Sequence, residues 1–107
     1  MADVLMAQFD VYRNPRKGRF PFLLDVQVEL LHSLETRVVV PLGLYRTDVA
    51  VPLSRLNPML EIDGATYVAV FQELVAVPRA ALGAFVSSAA DRRTDLIAAI
   101  DFLFTGI

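Results

Sequence analysis

At 107 residues, with 55% hydrophobic and 21% charged side chains, the chain holds enough for one core, too little for two, and is too apolar to be disordered. A net charge of −2 argues against general electrostatic binding of nucleic acid; the lack of cysteine excludes disulfides, thiolate nucleophiles and Cys-based zinc sites; and a single histidine, His32, excludes a His-cluster metal site. So much apolar surface on one small domain predicts that part of it is covered in a subunit interface.

Residues 8–13 alternate, with Phe9, Val11 and Arg13 on one side and Gln8, Asp10 and Tyr12 on the other, which predicts a strand. Asn14-Pro15 and Gly18 mark a turn. Residues 20–30 predict a second, half-buried strand, with Asp25, Gln27 and Glu29 on its wet face and Leu24, Val26, Val28 and Leu30 on its dry one. The two segments make a hairpin. Val38-Val39-Val40 is β-branched and continuous, as suits a strand buried on both faces. Pro41 removes a ladder donor, so that strand is bent, bulged or at an edge there. Residues 45–57 show no period and read as an irregular excursion.

The clearest hairpin runs from residues 59–62 through Asp63-Gly64 to residues 66–71, since Asp-Gly suits a type I′ turn with two positive φ angles. Residues 75–77 predict one more short strand. Ser88 with Asp91 resembles a capping box, with Asp in place of Glu. From Asp91 to Phe104 the period is helical: Leu96, Ile100 and Leu103 form one stripe, and Ile97, Asp101 and Phe104 a second that Asp101 marks as partly wet. Gly106 stands where a C′ residue would end the helix. The fold class is mostly β with a C-terminal helix.

Several clusters carry charge. Arg13, Arg16, Lys17 and Arg19 form a basic hairpin tip, read either as a solvated turn or as a contact for phosphates or an acidic partner. His32 has no Ser or Cys nucleophile motif beside it, which favours a structural role over that of a general base. Asp91, Asp95 and Asp101 are not spaced as a tight carboxylate pair and read as helix surface; Asp25, Glu29 and Glu35 read as the wet side of strands. The oddest feature is the terminus, Asp101-Phe102-Leu103-Phe104-Thr105-Gly106-Ile107, apolar to its last residue. Chain ends usually fray and are polar, so these side chains pack either into the chain's own core or against a partner. Residues 1–8 lack the basic and long apolar regions of a signal peptide, and the most apolar stretch, residues 68–90, is interrupted by Gln72, Glu73, Pro78 and Arg79, so the expectation is a cytoplasmic protein with no membrane contact.

Taken in order, Gln8-Phe9-Asp10-Val11-Tyr12, Asp25-Val26-Gln27, Arg37-Val38-Val39-Val40-Pro41-Leu42, Val77-Pro78 and the segment from Ala99 to Ile107 resemble the CcdB toxins of bacterial type II toxin–antitoxin modules. The resemblance treats residues 1–107 as a single domain, with residues 1–7 a non-conforming N-terminal extension and Met6 a possible true start. It implies an SH3-like antiparallel barrel with a small extra sheet and a C-terminal helix. It also implies a homodimer that is not an enzyme, needs no cofactor or metal, binds the A subunit of DNA gyrase and traps the cleaved DNA–gyrase complex. A CcdA-like antitoxin would neutralise it, and the pair would repress its own operon, with DNA touched only through the antitoxin.

Carried over by position, the gyrase-binding residues are Leu30, Leu31, Asp101, Phe104, Thr105, Gly106 and Ile107, with Gln8, Phe9 and Tyr12 as neighbours. The best-known form of the family has Trp where this chain has Thr105, and an uncharged amide often stands at the position of Asp101. An aromatic anchor of that kind contributes about 2–4 kcal/mol to a typical interface. The change motivates an alternative, a degenerate member that binds antitoxin without poisoning gyrase. A further alternative is an endoribonuclease toxin of the same fold, drawing on Arg13, Arg16, Arg19 and His32. For the antitoxin, the expected contacts are Arg13, Arg16, Lys17, Arg19 and, in the excursion, Arg46.

Overall fold

The computed structural model describes residues 6–29, 33–46 and 55–106. Leu30, Leu31, His32, most of the excursion over residues 45–57, and Ile107 therefore lie outside the described residues. The strands are β1 (Asp10–Arg13), β2 (Phe22–Asp25), β3 (Thr36–Leu44), β4 (Met59–Ile62), β5 (Ala65–Ala69), β6 (Val75–Pro78) and β7 (Phe85–Ser88), followed by one α-helix, α1 (Arg93–Thr105). All pairings are antiparallel, in the order β4-β5-β3-β2-β1-β7, with β6 attached to β3. The sheet curls into a half-barrel, and α1 sets Leu96 and Ala99 into its core, with Ile97, Ile100 and Leu103 packed against it.

β3 organises this arrangement. One edge pairs with β2 along Val39–Leu42; the other pairs first with β6, over Thr36–Val39, and then with β5, over Leu42–Leu44. Of the β-branched run, Val39 and Val40 are fully buried and Val38 is half-buried; Leu42 is fully buried as well. Pro41 falls where the second edge passes from β6 to β5. Its carbonyl accepts from Val70 N–H on that edge, so the proline nitrogen also faces the gap between the two partners, and no ladder bond to β2 is lost. The β4–β5 hairpin is joined to the rest through β3, so the strands form one sheet and no separate small sheet stands apart from it among the described residues.

The Asp63-Gly64 turn has φ of 51° and 80°, and β4 pairs β5 from Ile62↔Ala65 to Met59↔Val68. Because Ile62 and Ala65 close the turn, Met59 and Glu61 point their backbone groups away from β5, to the free edge of β4. On that edge the Met59 carbonyl accepts from Arg92 Nη1 at 2.7 Å.

Three expectations need correction. The second strand is four residues long instead of eleven, and all four are buried. It lies between β1 and β3 in a curled sheet, so neither face is wet, and Asp25 is 0% exposed. The regular alternation over residues 8–13 fails at Phe9, whose φ is 73° and whose ring is buried; the strand begins at Asp10. The capping box does not form. Ser88 Oγ accepts from Ala90 N–H, a 3-10 turn over Ala90–Arg92 follows, and α1 starts at Arg93 with no side-chain cap. Strand β7 has no sequence signature; it exists through its pairing with β1, where Val86 is the extra residue of a bulge. Met6 is buried and Ala7 N–H donates to Asp10, so both join the fold. Among the described residues no helix is long and apolar enough to cross a membrane.

Candidate functional site

The end of α1 presents the most exposed large apolar side chain among the described residues. Phe104 is 67% exposed, on the same helical line as the exposed Asp101 and the half-buried Ile97. The stripe of Leu96, Ile100 and Leu103 faces the core, so the helix separates an inner face from an outer one as its period requires. Gly106 ends the helix with φ 74° and donates its N–H to the Phe102 carbonyl at 3.0 Å. That left-handed cap suits glycine, and it fixes the direction in which the chain leaves the helix. Thr105 Oγ1 donates back to the Asp101 carbonyl at 2.6 Å. The hydroxyl is thus satisfied within the helix and does not reach outward.

The three neighbours lie elsewhere. Gln8 bridges two elements: its Nε2 donates to the Val26 carbonyl at 3.0 Å, and its Oε1 accepts from Arg93 Nη1 at 2.9 Å. Arg93 begins α1 and Phe104 is eleven residues on, so the backbones of Arg93 and Phe104 are about 16 Å apart along the helix axis. Phe9 is 1% exposed, under the Arg93 guanidinium at 5.8 Å; its side chain belongs to the core and offers a partner nothing. Tyr12 is also buried, edge-on to Phe85, with its hydroxyl 3.5 Å from Asp10 Oδ2. Burial, then the negative charges of Asp10 and Asp25, push its phenol up to about 12.

Between the end of β2 and β3 lies a charged pair that the sequence reading missed. Arg37 Nε and Nη2 both donate to Asp25 Oδ2, at 3.0 and 2.7 Å, with both side chains fully buried. Gln27 N–H donates to Asp25 Oδ1, Arg37 Nη2 reaches the Gln27 carbonyl, and Gln27 Oε1 accepts from Val38 N–H. Burial pushes the Asp25 carboxyl above the ordinary range, against the pull of the Gln27 N–H and of Arg37. This network ties the exit of β2 to β3. The available signal was a lone Asp closing an apolar strand, and a lone Arg opening the valine run.

The basic tip is exposed throughout. Asn14 shapes it by accepting from Arg16 N–H and donating to the Phe20 carbonyl. Arg19 pairs with Glu73 at 2.9 Å and stacks on Phe20, and Arg13 lies 5.7 Å from the Phe22 ring. Arg16 and Lys17 stay at the tip, exposed, and Arg46 is exposed at the entry to the excursion. Of the acidic helix residues, Asp95 pairs with Arg92, and Asp91 and Asp101 lie at opposite ends. Among the described residues no three His, Asp or Glu side chains converge as metal ligands.

Compared with models of protein families, residues 8–106 match the model described as CcdB protein. The match spans every strand and all of α1, ending at Gly106.

Proposed function

The chain belongs to the CcdB family, and from that premise we propose that it is a toxin of a type II toxin–antitoxin module that binds the DNA gyrase A subunit and traps its cleaved-DNA state. The observation that carries the reading is Phe104, a bulky aromatic left two-thirds exposed on a rigid helix end beside Asp101 and the left-handed Gly106. A side chain of that size in water is a cost to the monomer and an anchor for a partner. The action needs no turnover: preferential affinity for one gyrase state shifts the population towards it. On this reading the contact set is Asp101, Phe104, Thr105 and Gly106, extended by Leu30, Leu31 and Ile107, with Gln8 beyond. A homodimer in the cytoplasm, neutralised by a CcdA-like antitoxin that engages Arg13, Arg16, Lys17, Arg19 and Arg46, completes the proposal.

One observation favours the degenerate alternative. The Thr105 hydroxyl is bonded back to Asp101, so the position supplies neither a stacking face nor an outward donor. Binding of the intact protein to a gyrase A-subunit fragment decides between the two, with a copy lacking Thr105, Gly106 and Ile107 as control. Tight binding lost on truncation supports gyrase poisoning. No binding by the intact protein, together with toxicity gained in Thr105→Trp, supports the alternative.

A further inference from the structure

Beside α1 an arginine stacks on Phe102. Arg55, exposed at the end of the excursion, places its guanidinium carbon 4.5 Å from the centre of the Phe102 ring. Beside it opens a concavity of about 300 Å³ lined by Arg55, Asn57, Met59, Arg92, Asp95 and Ala98. The groups in it differ in how far they are already satisfied. Arg92 is committed to the Met59 carbonyl at 2.7 Å and to Asp95 at 2.9 Å, and that ion pair cancels the one carboxylate present. Asn57 is committed to the Ala69 carbonyl and to Gln72. Arg55 differs: among the described residues no carboxylate or carbonyl accepts from its N–H groups.

We propose that this concavity binds a carboxylate carried on an aliphatic stem, with Arg55 as the two-pronged donor. Three features carry the inference. Stacking on Phe102 holds the planar guanidinium in one orientation, so little side-chain freedom is left to lose on binding. The geometry of that group matches the two oxygens of a carboxylate. The walls formed by Met59 and Ala98 are apolar, which suits methylene groups behind the carboxylate and gives a bare phosphate nothing to bury. Lining charge is two arginines against one aspartate, so the site is locally positive on a chain of net charge −2. A free dicarboxylate and a glutamate side chain of a partner polypeptide share this chemistry. The inference does not rest on the gyrase reading, since none of these residues is in that contact set.

The test follows the Nε–Hε resonance of Arg55 by NMR in the full chain while glutarate, a blocked glutamate peptide or inorganic phosphate is added. The expected result is a saturable shift with glutarate, much smaller with phosphate, and at least about tenfold weaker binding in Arg55→Gln, which leaves the fold intact because Arg55 is exposed. Tighter binding of the peptide than of glutarate identifies a polypeptide source; equal or weaker binding identifies a small molecule. A linear, unsaturated response to glutarate, a phosphate response as strong as that to glutarate, or an Arg55→Gln variant that binds as well as the parent overturns the proposal.

Discussion

Replacing Arg37 with methionine isolates the buried ion pair. The substitution keeps a flexible side chain of roughly similar reach but removes two hydrogen bonds to Asp25 and one to the Gln27 carbonyl. Of the bonds described above, Asp25 keeps that from Gln27 N–H, at 0% exposure. A buried charge stranded in this way costs about 3–5 kcal/mol, a large share of the roughly 5–15 kcal/mol that holds a domain folded. At about 4 °C per kcal/mol for a chain of this length, Tm falls by about 12–20 °C. Burial already pushes the Asp25 carboxyl upward, and without Arg37 it goes further. A group whose folded pKa is raised contributes stability that is present at low pH and lost as pH rises through that value, so the deficit is larger at pH 8 than at pH 5. Urea unfolding followed by circular dichroism measures it, with an unchanged slope showing that the same surface unfolds. The double variant Asp25→Leu with Arg37→Met leaves no charge behind and recovers most of the loss. A deficit below about 1 kcal/mol, the scale of an exposed pair such as Arg19–Glu73, or a double variant no better than Arg37→Met, refutes the reasoning.

Three other perturbations have defined outcomes. Tyr12 has its phenol raised from 10.0 to about 12, so its contribution holds below pH 10 and is lost as pH rises towards 12; alkaline titration of unfolding should show a loss of about 2–3 kcal/mol from this group that Tyr12→Phe removes. Gly83→Ala would bring a Cβ within 2.7 Å of the Arg13 carbonyl oxygen, where β7 is entered, and should lower stability by about 1–3 kcal/mol in the same urea assay. Phe104→Ala removes a side chain that is 67% exposed, so stability should stay within about 0.5 kcal/mol while affinity for the gyrase fragment, by titration calorimetry, falls at least tenfold, or about 1.4 kcal/mol.

What could be read from the residues divides along the range of the forces involved. The β4–β5 hairpin was legible because Asp63-Gly64 encodes two positive φ angles locally, and the helix end because Gly106 and the spacing of Leu96, Ile100 and Leu103 are local too. Pro41 was legible only as an anomaly: which edge its missing donor faces depends on β6 and β5, thirty residues further on. Strand β7 was invisible because Phe85 is 58% exposed and Val86 bulges, so no alternation marks it. Asp25 was misread because alternation shows which side chains share a face and not whether that face is wet. At the proposed contact surface, the exposed line of Asp101 and Phe104 was legible from helical period. The burial of Phe9, at a backbone conformation rare for an aromatic residue, was not.

The curled sheet leaves β4 and β7 at the two ends of its strand order, and a strand end with unclaimed backbone groups is a template for another chain. Here the Met59 carbonyl on the outer side of β4 is occupied by Arg92, which follows β7 in the chain. One guanidinium thus withholds an acceptor from any incoming strand and sets a charge where that strand would have to lie. At the opposite end β7 is only four residues long, and the bulge at Val86 twists it. In a chain that is 55% hydrophobic, the open ends of the half-barrel are thus guarded against edge-to-edge aggregation by one side chain and one bulge.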